Sequence, residues 1–342
     1  MTVQEFLGSD HYGDVKCSYS YDDGLTWTNP ELIEGLATIK LPHGLMEGNA
    51  DVRPEYHPQT KTVIALGCNT YYNSQGTLHS LKEWETKMPP QFPVYAIRYS
   101  DGRWSGRKRL EHTFFADCSN WRTACAQMVV LPNGNILVPI YFQQSAEQVN
   151  FSVCSALCSF DGQRIRILNI SNILSSQKTG LCEPSLAYFR ERYYMTVRAD
   201  DGHGYFSVSS DGLSWGAKNA WHWDDGTVLT MSETQQHWLA SENRLYLVYT
   251  RKAENNKDVF RWRSPLFIAE FDPNKGCLLK KTEKTVFPLL RSSGLANLLG
   301  NFHVTHITPA CAWVSDAPLW IELSNLKNFR TEVWLRKIES VH

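Results

Sequence analysis

The sequence predicts an all-β chain folded as a β-propeller of six blades, or seven if two have been merged in the count. Three observations carry this. From Leu181 to Trp215 the chain reads as three short strands, Pro184 to Phe189, Tyr193 to Arg198 and Tyr205 to Ser209, followed by the tight turn Ser210-Asp211-Gly212. Each strand is rich in aromatic and β-branched residues and bounded by turn formers, which is the hairpin signal. Fragments of the same pattern recur at SYDDGLTW from Ser20, SDGRW from Ser100, SFDG from Ser159 and DPNKG from Asp272, each after a strand-like run. Small antiparallel units repeated every ~40 to 50 residues bury their faces only by stacking on neighbours, as propeller blades do. The composition agrees: 42% hydrophobic and 20% charged residues, with 12 Trp and 15 each of Tyr and Phe, supply a large core and argue against disorder.

In chain order, the first unit is short, with strands at Met1 to Leu7 and Val15 to Tyr21, and lacks at least one strand. The last strand, Thr331 to Ile338, has no nearby partner in sequence. Its expected place is beside the first unit, closing the ring and leaving no open edge. The second unit runs from Asn49 to Leu110 and carries an insertion, NSQGTLHSLKEWETKMPPQFP, whose Leu78 to Lys87 part reads as one or two helical turns ended by Pro89 and Pro90. Long insertions in repeat proteins tend to gather on one face, often the binding face. The remaining units span about 116 to 172, 181 to 228, 231 to 288, and 300 onward. No linker-like or low-complexity segment offers a cut, so residues 1 to 342 read as a single domain.

Charge and hydropathy exclude several classes. A net charge of -1 gives no basic surface for nucleic acid. No apolar run approaches the roughly 18 residues of a membrane helix. The N-terminal MTVQEFLGSDHYGD has neither the basic nor the apolar segment of a signal peptide, so the chain as written reads as cytoplasmic, or as secreted or periplasmic if a leader has been removed. The nine cysteines are an odd number. Cys118 with Cys125, or Cys154 with Cys158, could bridge if oxidised, but buried free thiols are the simpler reading, and no pair of cysteines repeats with zinc-ligand spacing. No metal and no cofactor is expected.

Candidate chemistry comes from laying the first strands over one another. In a propeller these strands are innermost and enter the axial channel from one face. They begin at Asp51-Val52-Arg53, Thr123 to Gln127, Cys182-Glu183-Pro184-Ser185, Gln235-Gln236-His237-Trp238 and Asn301-Phe302-His303, and each brings a polar side chain toward the axis. Convergent polar groups in a concavity are the default site. Arg198, Arg251 and Arg263 lie near strand ends, and several guanidinium forks around one axis suit a carboxylate ligand. Any one of them could equally pair with a neighbouring acid.

The run Ser20 to Trp27 fits the pattern S-x-D-x-G-x-T-W, and the block Glu183 to Trp215 and the segment RWRSPLFIAEFD from Arg261 resemble successive blades of the sialidases and their BNR, or Asp-box, relatives. The pattern belongs to the architecture rather than to activity, and Asp22 and Asp211 read as turn residues. The resemblance implies roles for particular positions. Glu183 matches the glutamate that activates the sialidase tyrosine nucleophile, and Arg198 and Arg263 match two of the three arginines that clamp the substrate carboxylate. No FRIP-like motif precedes Ser20, so Arg53 with Asp51 stand as substitutes for the third arginine and the catalytic aspartate. In the last unit, where a sialidase has its tyrosine, this chain has Asn301 to His306.

Three functions therefore follow. The resemblance implies an exo-glycosidase, a sialidase-like hydrolase acting on an oligo- or polysaccharide with an acidic sugar, using Glu183 with Asp51 or Asp117 as carboxyl partner. The histidines favour a second reading, a lyase eliminating across a uronate or a rhamnose-glucuronate enzyme, with His237 or His303 as base, Tyr249 as acid and the arginines on the carboxylate. His57 lies in a turn and is a weaker base. A third is a noncatalytic glycan-binding propeller, with Arg53, Gln127, Arg198, Gln236, Arg251 and Arg263 holding the sugar and Trp121, Trp238 or Trp262 stacking on it.

Overall fold

The computed structural model describes residues 1–8, 10–73, 89–118, 120–145, 148, 150–292, 294–308, 311–322 and 325–339. They form a succession of antiparallel sheets. The first holds Thr2–Val3, Lys16–Cys17 and Glu31–Leu32. The second is built on the long pair Met46–His57 and Thr62–Tyr72, the third on Ile136–Gln143 and Ser152–Phe160. The fourth contains Leu181–Phe189, Arg192–Ala199 and Gly204–Ser209, the three strands that the sequence places there. The fifth contains His237–Ala240, Leu245–Tyr249 and Leu266–Asp272. Expected helical turns between Leu78 and Lys87 fall outside the described residues.

The apolar residues are distributed as stacked blades require. Alternation along each strand sends side chains to both faces of a sheet, and each interval between neighbouring sheets has its own cluster. Ile64, Tyr95, Ile140 and Cys154 fill the second-to-third interval, and Leu137, Val153, Leu186 and Met195 the third-to-fourth. Tyr194, Trp221, Trp238 and Phe271 fill the fourth-to-fifth, and Val248, Phe287, Phe302 and Val314 the fifth-to-last. This is an all-β propeller. All nine cysteines are free, and seven are buried, which agrees with their reading as core thiols.

The ends of the chain differ from expectation. Trp334–Glu339 pairs with Cys311–Asp316 in the last sheet and not with the first, so the two termini are not joined by a strand ladder. They meet through side chains instead. The Trp27 and Trp313 rings lie 6.2 Å apart, Lys337 Nζ is 2.5 Å from Asp23 Oδ2, and a Cβ on Gly24 would come within 2.9 Å of Trp313. Gly24 has φ +83°, a conformation that a glycine adopts freely. The first segment also departs from expectation. Its Phe6–Gly8 and His11–Tyr12 form a separate hairpin. Between the paired strands Cys311–Asp316 and Trp334–Glu339, the chain detours into a further sheet with Arg291–Ser292 and Leu295–Leu298.

The acidic turn residues do what their sequence suggests. Asp22 Oδ1 accepts from Ser20 Oγ at 2.9 Å and from Thr26 N at 2.9 Å, and Thr26 Oγ1 donates to Oδ2 at 2.5 Å. These donors hold its carboxyl down at about 2. Asp211 repeats the arrangement with Ser209, Leu213 and Ser214.

Candidate functional site

The first strands of the sheets meet around one axis. Gln127 and Ser185 form a bridge between the third and fourth sheets. Ser185 Oγ lies 2.9 Å from His237 Nδ1, linking the fourth to the fifth. Arg53, from the second sheet, reaches His237 in the fifth and His303 in the last. Polar groups from the second to the last sheet thus converge, as the stacking of strand starts implies.

Two groups separate within this convergence. One is sealed. Arg53 Nη2 donates to Gln235 Oε1 at 2.8 Å and to His237 Nε2 at 2.9 Å, and Nη1 donates to His303 Nδ1. A guanidinium has only donors, so the His303 nitrogen that faces it accepts and the His303 hydrogen sits on Nε2. His237 turns both ring nitrogens toward Arg53, Nε2 at 2.9 Å and Nδ1 at 3.4 Å, with Ser185 Oγ 2.9 Å from Nδ1. Burial first, then the Arg53 charge, holds both imidazoles well below their ordinary pKa. Both histidines are therefore neutral, and His237 is fully buried.

The other group is deeply enclosed yet open to solvent. Glu183 Oε1 accepts from Arg198 Nη1 at 2.6 Å, with the two side chains 18% and 15% exposed. Arg263 lies within electrostatic reach of Glu183, Arg198 and Cys125. Asp51 neighbours Glu183, Arg53 and Cys125, and its carboxyl is raised above the usual range by burial first and by the Glu183 charge second. Arg198 Nε and Arg263 Nε are buried without a partner. Buried donors without a partner are uncommon in folded proteins; Arg107 Nη1 and Trp320 Nε1 are others outside this cluster. Among the described residues, no group of three or more histidines, cysteines or acids could hold a metal ion, and no helix is long and apolar enough to cross a membrane.

The backbone helps to aim these groups. Asp51 has φ +51°, Cys125 φ +57° and Glu183 φ +49°. The strand register shifts between Ala50 and Arg53 and between Cys182 and Ser185. Non-glycine residues in this left-handed region are uncommon, cost of order 1–3 kcal/mol, and concentrate at functional sites. At Asp51 and Glu183 the left-handed residue coincides with the bulge, whereas Cys125 lies in a turn between the strands Asn120–Arg122 and Val129–Val130.

Several expected site residues serve the scaffold instead. Arg53 is tied to protein acceptors and buried, so it braces the axis rather than clamping a ligand. Gln127 exchanges two hydrogen bonds with the Trp238 backbone, at 2.8 and 2.9 Å, and so extends a sheet edge. Gln236 Oε1 accepts from Trp221 Nε1 at 2.7 Å, inside the packing of the fourth and fifth sheets. Tyr249 and Arg251 both bind Glu283, at 2.6 Å and at 2.8 and 2.7 Å, in a cluster with no contact to Glu183 or Arg198. His237 has both ring nitrogens engaged, and His303 has its unprotonated nitrogen on Arg53, so neither is placed as a base. His57 binds Thr60 and the Gly134 carbonyl. Trp121 and Trp238 are buried in blade packing, Trp262 lies under Lys252 Nζ at 4.1 Å, and Asp117 is exposed in a turn.

The structure adds residues that sequence reasoning missed. Arg122 is held by Asn120 Oδ1 at 2.7 Å and by Gln91, and lies within electrostatic reach of Tyr141 and Asp51. Tyr12, from the N-terminal hairpin, lies near Asn301 and Asp51, and burial first, then the Asp51 charge, raises its phenol well above the ordinary range. Asp10, at the tip of that hairpin, is exposed and faces the same pair. Arg122 stands beside the strand start already singled out, one residue before Thr123, and its side chain could have been read there. Tyr12 and Asp10 carried no such signal, because their hairpin departs from the repeat.

No family model and no curated protein matches the sequence. Solved structures do. The chain aligns over 97% of its length with Trypanosoma rangeli sialidase bound to the inhibitor DANA, at a TM-score of 0.61 and 14% identity. A Hadza microbial sialidase aligns over 88% at 0.59 and 17%, and NanB with Optactamide over 99% at 0.64 and 10%. The chain has a sialidase-like fold. It covers 50%, 56% and 66% of those three chains respectively, so it spans about half to two thirds of the structures it resembles. At these identities the likeness concerns the fold.

Proposed function

We propose that the protein is a sialidase-like exo-glycosidase, hydrolysing a terminal acidic sugar from a glycan. The observation that carries this reading is the partly exposed cluster at the axis in which Glu183 pairs with Arg198 and lies within electrostatic reach of Arg263 and Asp51, and Asp51 within reach of Arg122, with two guanidinium nitrogens unpaired. Guanidinium forks recognise a carboxylate bidentately and hold it in one orientation. The fold likeness supports the same chemistry, since the Trypanosoma rangeli structures include one with sialic acid.

In this reading the three arginines hold the sugar carboxylate. Asp51, whose carboxyl keeps its proton to higher pH than an ordinary aspartate, gives that proton to the leaving oxygen as general acid. Glu183, bound to Arg198, lies opposite as the second carboxyl that glycoside hydrolysis requires. Tyr12 brings a phenol to Asn301, the place where the last sheet itself offers no tyrosine. Water completes the cleavage, and the proton it releases restores Asp51. Elimination across a uronate needs a free base, and the two histidines that would supply one are neutral with their acceptor nitrogens on Arg53.

The test is incubation with sialylated oligosaccharides and with uronate polymers, following free acidic sugar and the ultraviolet absorbance of unsaturated uronate. Release of free acidic sugar, lost in Asp51→Asn and Tyr12→Phe, is expected. New absorbance would overturn hydrolysis in favour of elimination, and binding with no turnover would reduce the cluster to a glycan receptor.

A further inference from the structure

The Nε–H and one Nη2–H of a guanidinium point the same way along one edge, and a carboxylate can take both at once. Two arginines of this protein differ in how that edge is filled. In Arg251 it is full: Nε donates to Glu283 Oε1 at 2.8 Å and Nη2 to Glu283 Oε2 at 2.7 Å. In Arg198 it is half full, since Nη2 donates to Asp200 Oδ1 at 3.2 Å while Nε is buried and has no partner. The firm contact of Arg198 lies elsewhere, from Nη1 to Glu183 Oε1 at 2.6 Å.

We infer that Asp200 is a specificity-determining residue: its carboxylate stands on the Nε–Nη2 edge of Arg198 as an internal substitute, to be displaced by the carboxylate of a ligand, which takes both nitrogens. The inference rests on the proposed use of Arg198 as a carboxylate clamp and names what competes for that clamp. Asp200 is placed to leave. Its side chain is 52% exposed, against 18% for Glu183, and exposed ion pairs are weak. It directly follows the strand Arg192–Ala199, and the loop that carries it is fixed by other groups. Asp200 N donates to Thr179 Oγ1 at 3.1 Å, Asp201 Oδ1 accepts from His203 N at 3.0 Å, and Asp201 Oδ2 accepts from Tyr205 OH at 2.7 Å. The Asp200 carboxylate can therefore turn into solvent without unravelling the loop.

The exchange is selective by charge. Replacing one carboxylate by another leaves the Arg198 cation neutralised throughout, and the gain is a second hydrogen bond, at Nε. A buried donor left unpaired is costly, so that bond is worth more than an ordinary surface one. A hydroxyl or an ester brings no charge and would have to strip an ion pair from the cation, so a neutral sugar leaves Asp200 in place. Discrimination then comes from a competing contact as well as from an attractive one. Glu183 does not compete in this way, because it holds a different nitrogen and is far less exposed.

The experiment follows the arginine Nε–H resonances of the intact, isotope-labelled protein by NMR during titration with acetate, the bare carboxylate. Wild type is compared with Asp200→Ala and Asp200→Asn, and Arg198→Lys identifies the Arg198 signal. Acetate should shift that signal in wild type, and at a midpoint up to about five-fold lower in both variants, as loss of an exposed ion pair allows. The Arg251 signal, its edge filled by Glu283, should stay still in all three. An Arg198 signal that acetate never moves, or equal midpoints in the three proteins, would overturn the inference. So would a lower midpoint in Asp200→Ala alone, which would mark Asp200 as bulk on the edge and not as a competing charge. Acetate involves no sugar and no turnover, so this result is independent of the hydrolase reading. With sialic acid, both variants should bind up to about five-fold more tightly than wild type, while the methyl ester stays unbound. The acetate result without any binding of sialic acid would remove the sialidase-like reading and leave the inference supported.

Discussion

Arg53 and Arg198 belong to the same kind of residue at the same end of the propeller, yet they are put to opposite uses. Arg53 is 8% exposed and donates to Gln235, His237 and His303, all neutral acceptors of the protein itself. Arg198 is 15% exposed, donates to the carboxylates of Glu183 at 2.6 Å and Asp200 at 3.2 Å, and keeps its Nε without a partner. The first arrangement satisfies a buried cation and locks three sheets together. The second holds a partly exposed guanidinium between two carboxylates and leaves one buried nitrogen unpaired. The difference shows that an arginine near a propeller axis is defined by what its donors already hold, not by its position.

The sharpest way to break the comparison is to remove Arg53. Arg53→Met leaves Gln235 Oε1 and two imidazole nitrogens buried and unpaired, and should cost about 3–5 kcal/mol of stability, in the range for dismantling a buried polar cluster. A denaturant midpoint within error of wild type would show that Arg53 does not brace the axis. Arg198→Ala should do the reverse, lowering kcat/KM by about 10² or more, as losing a directed donor does, while shifting the midpoint little. The same fall in stability as for Arg53→Met would erase the distinction between the two.

A smaller effect concerns Asp316, a buried carboxyl of the last sheet that burial raises to about 7. In the unfolded chain it ionises near pH ~4, so the folded protein binds the extra proton between these values. The stabilisation is complete below about pH 4 and is lost as pH rises through 7. Asp316→Asn keeps an oxygen for the Ala317 amide and should make the protein more stable at pH 8.5 by about 3 kcal/mol. An unchanged difference in stability between pH 5 and pH 8.5 would contradict this.

Much of the fold could be read from local chemistry. The strands from Leu181 to Ser209 and the turns at Asp22 and Asp211 came from alternating aromatic and β-branched residues and from Ser, Asp and Gly at turn positions, signals that act over a few residues. The C-terminal strand was misplaced because its partner, Cys311–Asp316, is separated from it by a detour into another sheet, and only long-range packing reveals that. The site was legible as a set of strand starts but not as roles. Polar residues at Arg53, Gln127, Gln236 and His237 look alike in sequence. The structure divides them by burial and by partners contributed from 111 residues away for Gln127 or 184 for Arg53. Tyr12 was missed because nothing within its own hairpin says that Asn301 lies beside it.

The most direct measurement of the central claim is calorimetric binding of sialic acid and of its methyl ester to the same protein. The free acid should bind and the ester should not, because the ester removes the charge that Arg198, Arg263 and Arg122 are arranged to meet, and Arg198→Ala should abolish the difference. Equal binding of acid and ester, or preference for the acid surviving in Arg198→Ala, would contradict the account.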